Sequence, residues 1–343
     1  MSYTIQYIPK NQFPSLKDSW KKLEKGEDMS IFQTYDWNEA LNEYYIPDST
    51  KKYKAVYAIV KKDGVTIMIA PFWLFKKNYR IINKKGIYII GRESWSDYLN
   101  IIYNEFDSNA FVFLLEELST RYKINHFIFE QLLPNTKLYH YIKDTQNITF
   151  QYQTTCVCLD LPTTSEEYQK LLSKNSRQNI RTANNRLQKD GVSLHFVIND
   201  TTVDKDLCME MRRIRLNKKY KKVSKLRELK YRIDYKLRFH YLPFVPMYHY
   251  KNSMMMTAYD QDHRLYAFFN YTIDDEKRTI TILGAGTSEQ HERYSPGILL
   301  MHHFINEAIS MGYRTIDFTR GDEKYKFALG GKPFTIINVE FDT

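Results

Sequence analysis

Cysteine is scarce, at three residues in 343, too few for a disulfide framework. Cys156 and Cys158 alternate along an apparent strand, "TTCVCLDL", with neither a CxxC spacing nor a histidine pair to make them a metal site. Twelve glycines and ten prolines are few for this length. That argues against a sandwich with many tight turns and against long flexible linkers. No stretch approaches the ~18 uncharged apolar residues of a membrane span. "MSYTIQYIPKNQFPSLKDSW" lacks a charged start followed by an apolar core, so no signal peptide is expected there. These shortages together predict a soluble, cytoplasmic protein.

Apolar residues make up 43% and aromatics 15%, ample for packed cores. At roughly 100–200 residues per domain, the length predicts two domains. Positive charge is local. Residues 211–238, "MRRIRLNKKYKKVSKLRELKYRIDYKLR", hold 13 Lys/Arg against two acids, a net of +11 against +10 for the whole chain, so the remainder is about neutral. Leu226, Leu229, Ile233 and Leu237 recur at helical spacing, which predicts a basic amphipathic helix or helix pair. Two readings stand: a solvated helix face, or a contact for cofactor phosphates, nucleic acid or an anionic membrane surface.

The first half reads as mixed α and β. "SIFQTYDWNEALNEYY" predicts a helix with Ser30 as an early cap, and "KAVYAIVKKDGVTIMIAPFWLFK" a hairpin turning at Lys-Lys-Asp-Gly. "SNAFVFLLEELSTRY" predicts an amphipathic helix and "INHFIFEQL" a strand. The second half repeats the order: two helices ending at Gly191, a strand, the basic region, three strand-like runs, a helix and further strands. The polar "KDTQNITFQYQTT" reads as a crossing segment, with a boundary near residue 150.

Chemistry concentrates in "TILGAGTSEQHERYSPGILLMHHFINEAISMGYRTIDFTRGDEKYKF". A strand runs into Gly284-Ala285-Gly286, small residues that permit close approach of a ligand or form a bulge. Ser295-Pro296-Gly297 then opens a helix, with Ser295 as N-cap and Pro296 at the first position, where it loses no hydrogen bond. The uncovered amides of such a helix start suit phosphate, and Arg293 beside it adds a bidentate fork. After the next strand, Arg320, Asp322, Glu323, Lys324 and Lys326 fall within seven residues, interleaved with Tyr325. This cluster reads either as chemistry at a strand end or as a structural salt-bridge network.

Three stretches carry a resemblance: "LLSKNSRQNIRTANNRLQKDG", "YSPGILLMHHFINEAISMGYRTIDFTRGDEKYKF" and "SDYLNII". They resemble motifs of the acyl-CoA N-acyltransferase (GNAT) superfamily, in its CelD/BcsL-like acetyltransferase branch, a relative of the FemABX peptidyltransferases. The usual pyrophosphate loop is not intact; "RYSPG" remains of it.

The resemblance implies an α+β chain of two tandem GNAT-like domains, each a mixed, mostly antiparallel sheet flanked by helices. Residues 1–152 would form the first domain, with the strand at 333–343 a candidate to rejoin it. Residues 153–332 would carry the donor site. The implied activity is transfer of an acetyl or other acyl group from acyl-CoA to an amine of a small molecule or amino sugar, in surface-polysaccharide biosynthesis, with no metal. Leu283, Gly284, Arg293, Ser295, Gly297 and Ile298 would hold the donor. Lys326 would face the reacting carbonyl, Tyr325 would return a proton to the thiolate, and Asp317 or Asp322 would be the base or orient Arg320. Arg177, Arg181, Arg320, Asp97 and Tyr98 are the acceptor candidates. Two rivals remain: a Fem-like transferase using aminoacyl-tRNA, favoured by the basic segment, and a GNAT-like protein that binds without catalysing, for instance at an anionic surface.

Overall fold

The computed structural model describes residues 2–44, 46, 53–78, 83–91, 96–204, 206–208, 211 and 250–343. All but the first residue of the basic segment 211–238 lies outside the described residues. The chain divides into two compact units. The first holds the chain up to Thr154, Tyr250 and Thr335–Thr343; the second holds the described residues from Thr155 onward, apart from Tyr250, to Phe334.

The first unit contains β1 (Tyr3–Ile8), α1 (Lys17–Leu23), α2 (Tyr35–Tyr44), β2 (Tyr53–Lys62), β3 (Val65–Asn78) and β4 (Asn83–Ile89). α3 (Ser108–Tyr122), β5 (His126–Leu132) and α4 (Lys137–Thr145) follow. β6 (Asn147–Asp160) begins there, and β12 (Lys332–Asp342) supplies most of its length to it. Its strands are ordered β1-β2-β3-β4-β5-β12-β6, with β4–β5 parallel. Asp63 and Gly64, both at positive φ, make the expected hairpin turn between β2 and β3. Ser30 accepts from the Phe32 amide and forms a capping box with Gln33, so the predicted cap starts a short 3₁₀ turn ahead of α2. The polar crossing segment runs from the end of α4 into the first half of β6, and the division between the units falls within it, at Thr154/Thr155. Most of that half is exposed, so pairing rather than burial makes it a strand.

The second unit continues with α5 (Ser165–Leu171), α6 (Lys174–Lys189), β7 (His195–Ile198), β8 (Met254–Tyr259), β9 (Leu265–Asp274) and β10 (Thr279–Thr287). α7 (Pro296–Ser310), β11 (Thr315–Arg320) and α8 (Lys324–Ala328) complete it. Its strand order is β6-β11-β10-β9-β8-β7, with β10–β11 parallel and the other pairs antiparallel. In each unit the strand pairing is thus mixed and mostly antiparallel. β9 is buried along its first eight residues, as a central strand covered on both faces must be. α7 buries Leu300, Met301, Phe304, Ile305 and Ala308, a stripe at helical spacing, against Phe269, Tyr271, Ile282 and Phe318.

Asp200, only 6% exposed, ties the β7–β8 connection to the sheet. Its carboxylate accepts from the Thr202 amide and hydroxyl, from Thr257 Oγ1 at 2.7 Å and from Tyr259 Oη at 3.0 Å. Burial opposes ionisation, but these donors outweigh it and hold the carboxyl below its ordinary value of 3.8. A folded value below the unfolded one means the stabilisation is complete above about pH 4 and is lost as pH falls through the lowered value. Asp200→Asn should therefore cost about 1–3 kcal/mol at neutral pH. It should also flatten the acid limb of urea midpoints measured from pH 5 to 2. Parallel acid limbs in variant and wild type would exclude Asp200 as the source.

Candidate active site

β10 and β11 pair only from Thr279–Thr281 against Thr315–Asp317 and then part. β10 stays on β9 as far as Thr287, with a bulge between Ile282 and Gly284 that leaves Leu283 unmatched. β11 bends away. Its register on β6 shifts between Asp317 and Arg320, and Thr319 sits at φ 57°, an outlying conformation for a β-branched residue. Asp317 Oδ1 accepts from the Thr319 amide at 2.7 Å, and the Thr319 hydroxyl lies 2.7 Å from Phe318 O and 3.3 Å from Ile282 O. Lys326, 3% exposed, places its ammonium 3.3, 2.9 and 3.1 Å from the carbonyls of Thr319, Arg320 and Gly321, and 3.0 Å from Glu323 Oε2.

Beside the parted strands, the end of β10 and the tip of α7 enclose a groove of about 210 Å³. Phe268, Phe269, Ala285, Gly286, Leu300 and Met301 make its apolar walls, and Ser295, Gly297, Ile298 and Tyr325 lie along it. Two glycines make the approach possible. A Cβ on Gly297 would lie 2.7 Å from Thr287 Cγ2, and one on Gly286 would lie 2.3 Å from the Phe268 ring. Ser295 takes the left-handed conformation, φ 48° and ψ 47°. Its carbonyl accepts from the Ile298 and Leu299 amides, whereas the Gly297 N–H has no partner among the described residues.

Residues 174–327 match a family model described as an acetyltransferase (GNAT) domain. The chain carries a GNAT acyltransferase domain. The whole chain also shares its fold with FemX, at TM-score 0.59 and 9% identity over 99% of this chain and 97% of that one. A conserved protein of unknown function from Bacteroides thetaiotaomicron superposes at TM-score 0.53 and 12% identity, over 100% of each chain. A tandem GNAT protein from the clavulanic acid biosynthesis pathway does so at TM-score 0.50 and 9% identity, over 100% and 98%. At these identities the likeness is one of fold, that of tandem GNAT proteins. No curated protein sequence matches the chain.

Within the GNAT domain the structure brings Ser295, Gly297, Ile298 and Tyr325 to one groove. Leu283 is buried at the bulge and Gly284 pairs with Asn270. Several expected roles change. Ser295 precedes the helix but its hydroxyl caps nothing, because the left-handed backbone points it away from the first-turn amides. Arg293 does not line the groove: its guanidinium binds the Asp190 carboxylate at the end of α6 and stacks on Tyr294. Arg177 caps α5, donating to the carbonyls of Gln169 and Leu172, and Arg181 is exposed. The Lys326 ammonium faces the 319–321 turn, not the groove, so its place is that of a clamp. Asp317 holds the Thr319 bend, Arg320 is half-buried, and exposed Asp322 has no partner among the described residues. Asp97 and Tyr98 belong to the first unit, both buried, with Tyr98 at φ 54° and its carbonyl accepting from Gln33.

Sequence reasoning missed Phe268, Phe269, Met301 and Asp190. The two phenylalanines stand in a largely apolar run of their strand where nothing marks them, and Asp190 meets Arg293 across 103 positions.

Removing the clamp strands three carbonyls around a strained residue. Lys326→Ala should destabilise the GNAT domain by about 2–3 kcal/mol in urea titrations, the scale of hydrogen bonds to a buried charge. Unchanged stability with lost turnover would instead assign the ammonium to the chemistry itself.

Proposed function

We propose that the protein transfers an acyl group from a coenzyme A thioester to an amine of a small molecule or amino sugar, by direct transfer in a ternary complex. The observation that carries this is the groove between the end of β10 and the tip of α7, with Tyr325 on its wall. An apolar groove suits the chain of a pantetheine, and the Gly297 N–H at a helix start, without a partner among the described residues, suits one phosphate oxygen. The fit is one of shape and amides, since the described residues lining the groove include no lysine or arginine and one carboxylate, Glu292, which a phosphate must sit clear of. The coenzyme would supply the electrophile, a thioester carbonyl.

The chain's own groups serve the rest. The amine's nitrogen forms the new C–N bond as the C–S bond breaks. Its proton passes to a carboxylate, for which we take Asp322, since Asp317 is engaged with the Thr319 amide. Tyr325 gives its phenolic proton to the leaving thiolate. The acceptor class rests on the sequence resemblance, as does a place in surface-polysaccharide biosynthesis, and a cytoplasmic location follows from the donor.

A second reading, transfer from aminoacyl-tRNA, is favoured by the net +11 of residues 211–238 and by the FemX-like fold. Thermal-shift titration with acetyl-CoA, free CoA and deacylated tRNA separates the two. The thioester reading expects stabilisation by CoA species; a tRNA-only response that collapses with salt would replace it.

For the chemistry, Tyr325→Phe should lower kcat by about 10²-fold or more, the usual contribution of a positioned acid, while leaving CoA affinity within about threefold. Full turnover in this variant would remove Tyr325 from the reaction.

A further inference from the structure

The turn between β10 and α7 is held at both ends. At its start the Ser288 amide donates to Tyr266 O at 2.8 Å, and the His291 ring stacks on the Tyr266 ring. At its end the contacts go to α6. Arg186 donates to Arg293 O at 2.8 Å, and the Arg293 guanidinium and the Tyr294 hydroxyl both bind Oδ2 of Asp190, the hydroxyl at 2.8 Å. Ser295 follows directly with its left-handed backbone, and Gly297 comes two residues later. The α6 anchor therefore sets where the Gly297 N–H stands.

Asp190 is the C-cap of α6, where the helix dipole favours a cation over a carboxylate. Helix stability does not explain an aspartate there; its two donors do. The Arg293 side chain is 60% exposed, so the ion pair adds little to the stability of the fold. What it fixes is the path of the turn. Arg293 is turned to α6 while its neighbour Glu292 lines the groove.

We infer that Asp190 is a positioning residue for the donor: it holds the 293–294 backbone so that the Gly297 amide meets a phosphate and the Glu292 carboxylate stays clear of it. Arg293 is a strut in this latch and not a phosphate ligand. The inference rests on the thioester reading above. The two roles for Arg293 predict opposite signs. If Arg293 were a phosphate ligand, removing Asp190 would free it and tighten donor binding. As a strut it loses its purchase, and donor binding weakens.

The test is calorimetry on the full chain with coenzyme A and with pantetheine, which lacks the phosphates. The variants are Asp190→Ala, Asp190→Asn, Arg293→Gln and the double Asp190→Ala/Arg293→Gln. Asp190→Ala should weaken coenzyme A at least about tenfold, the scale of a hydrogen bond to a charged group, and leave pantetheine within about twofold. Asp190→Asn keeps an acceptor for both donors and should lie between. The double variant should bind no worse than Asp190→Ala alone, since both changes open one latch. Should Asp190→Ala fail to fold, Asp190→Asn and Arg293→Gln decide by the same ratio of the two ligands. Coenzyme A binding that is unchanged or tighter in Asp190→Ala, or an equal loss for both ligands, overturns the inference alone. So does wild type that binds coenzyme A no better than pantetheine. Wild type that binds neither overturns the thioester reading with it.

Discussion

The parting of β10 and β11 after Thr281 and Asp317 is the constraint on which the rest of the GNAT domain depends. Two adjacent parallel strands separate only if the backbone groups they release find other partners. Here the release is managed from the β11 side. The Thr319 hydroxyl reaches Ile282 O, Asp317 takes the Thr319 amide, and the Lys326 ammonium gathers the next three carbonyls. A β-branched residue at φ 57° costs of order 1–3 kcal/mol and persists because this set of contacts over-determines it.

On the β10 side the parting is matched by glycine. Gly286 leaves room for the Phe268 ring, and Gly297 lets the tip of α7 come against Thr287. The helix start is then held from behind. Arg186 donates to Arg293 O, Arg293 and the Tyr294 hydroxyl bind Asp190, and Tyr294 and Leu299 pack with Ala183 and Leu187. α6 therefore acts as the support of the loop that shapes the groove, although none of its side chains lines it.

The element order was readable because it follows from local pattern: strand-like runs in β8 to β10, the 3.6-residue stripe of α7, Asp-Gly at a hairpin and Gly191 at a helix end. The groove's polar rim was readable in part, because Ser-Pro-Gly after a glycine-rich strand marks a place where backbone can approach a ligand. The direction of charged side chains was not readable. Arg293 and Arg177 were free cations on paper, and in three dimensions each meets an acceptor set by tertiary contact: Asp190 for one, the last carbonyls of α5 for the other. Nor can a sequence show that Ser295 adopts a left-handed backbone, since its neighbours Tyr294 and Pro296 allow the extended cap equally well. In β6 polar composition signalled the exposure and the crossing but not the pairing, and an exposed strand paired on its edges is still a strand.

Tyr325 and Lys326 are adjacent on α8, about 100° apart around its axis, so one faces the groove and the other the turn. A helix of five residues has no stability of its own. Its position comes from the Lys326 clamp, from the Gly331 amide on Lys326 O, and from Leu329, fully buried and holding the Tyr168 hydroxyl through its carbonyl. The phenol of Tyr325 is thereby located by groups that never touch the groove. An effect of Lys326 on turnover, which the sequence resemblance assigns to direct contact with the reacting carbonyl, follows equally from displacement of Tyr325. The geometry favours this second route, because every N–H of the ammonium is already directed at the 319–321 carbonyls and Glu323.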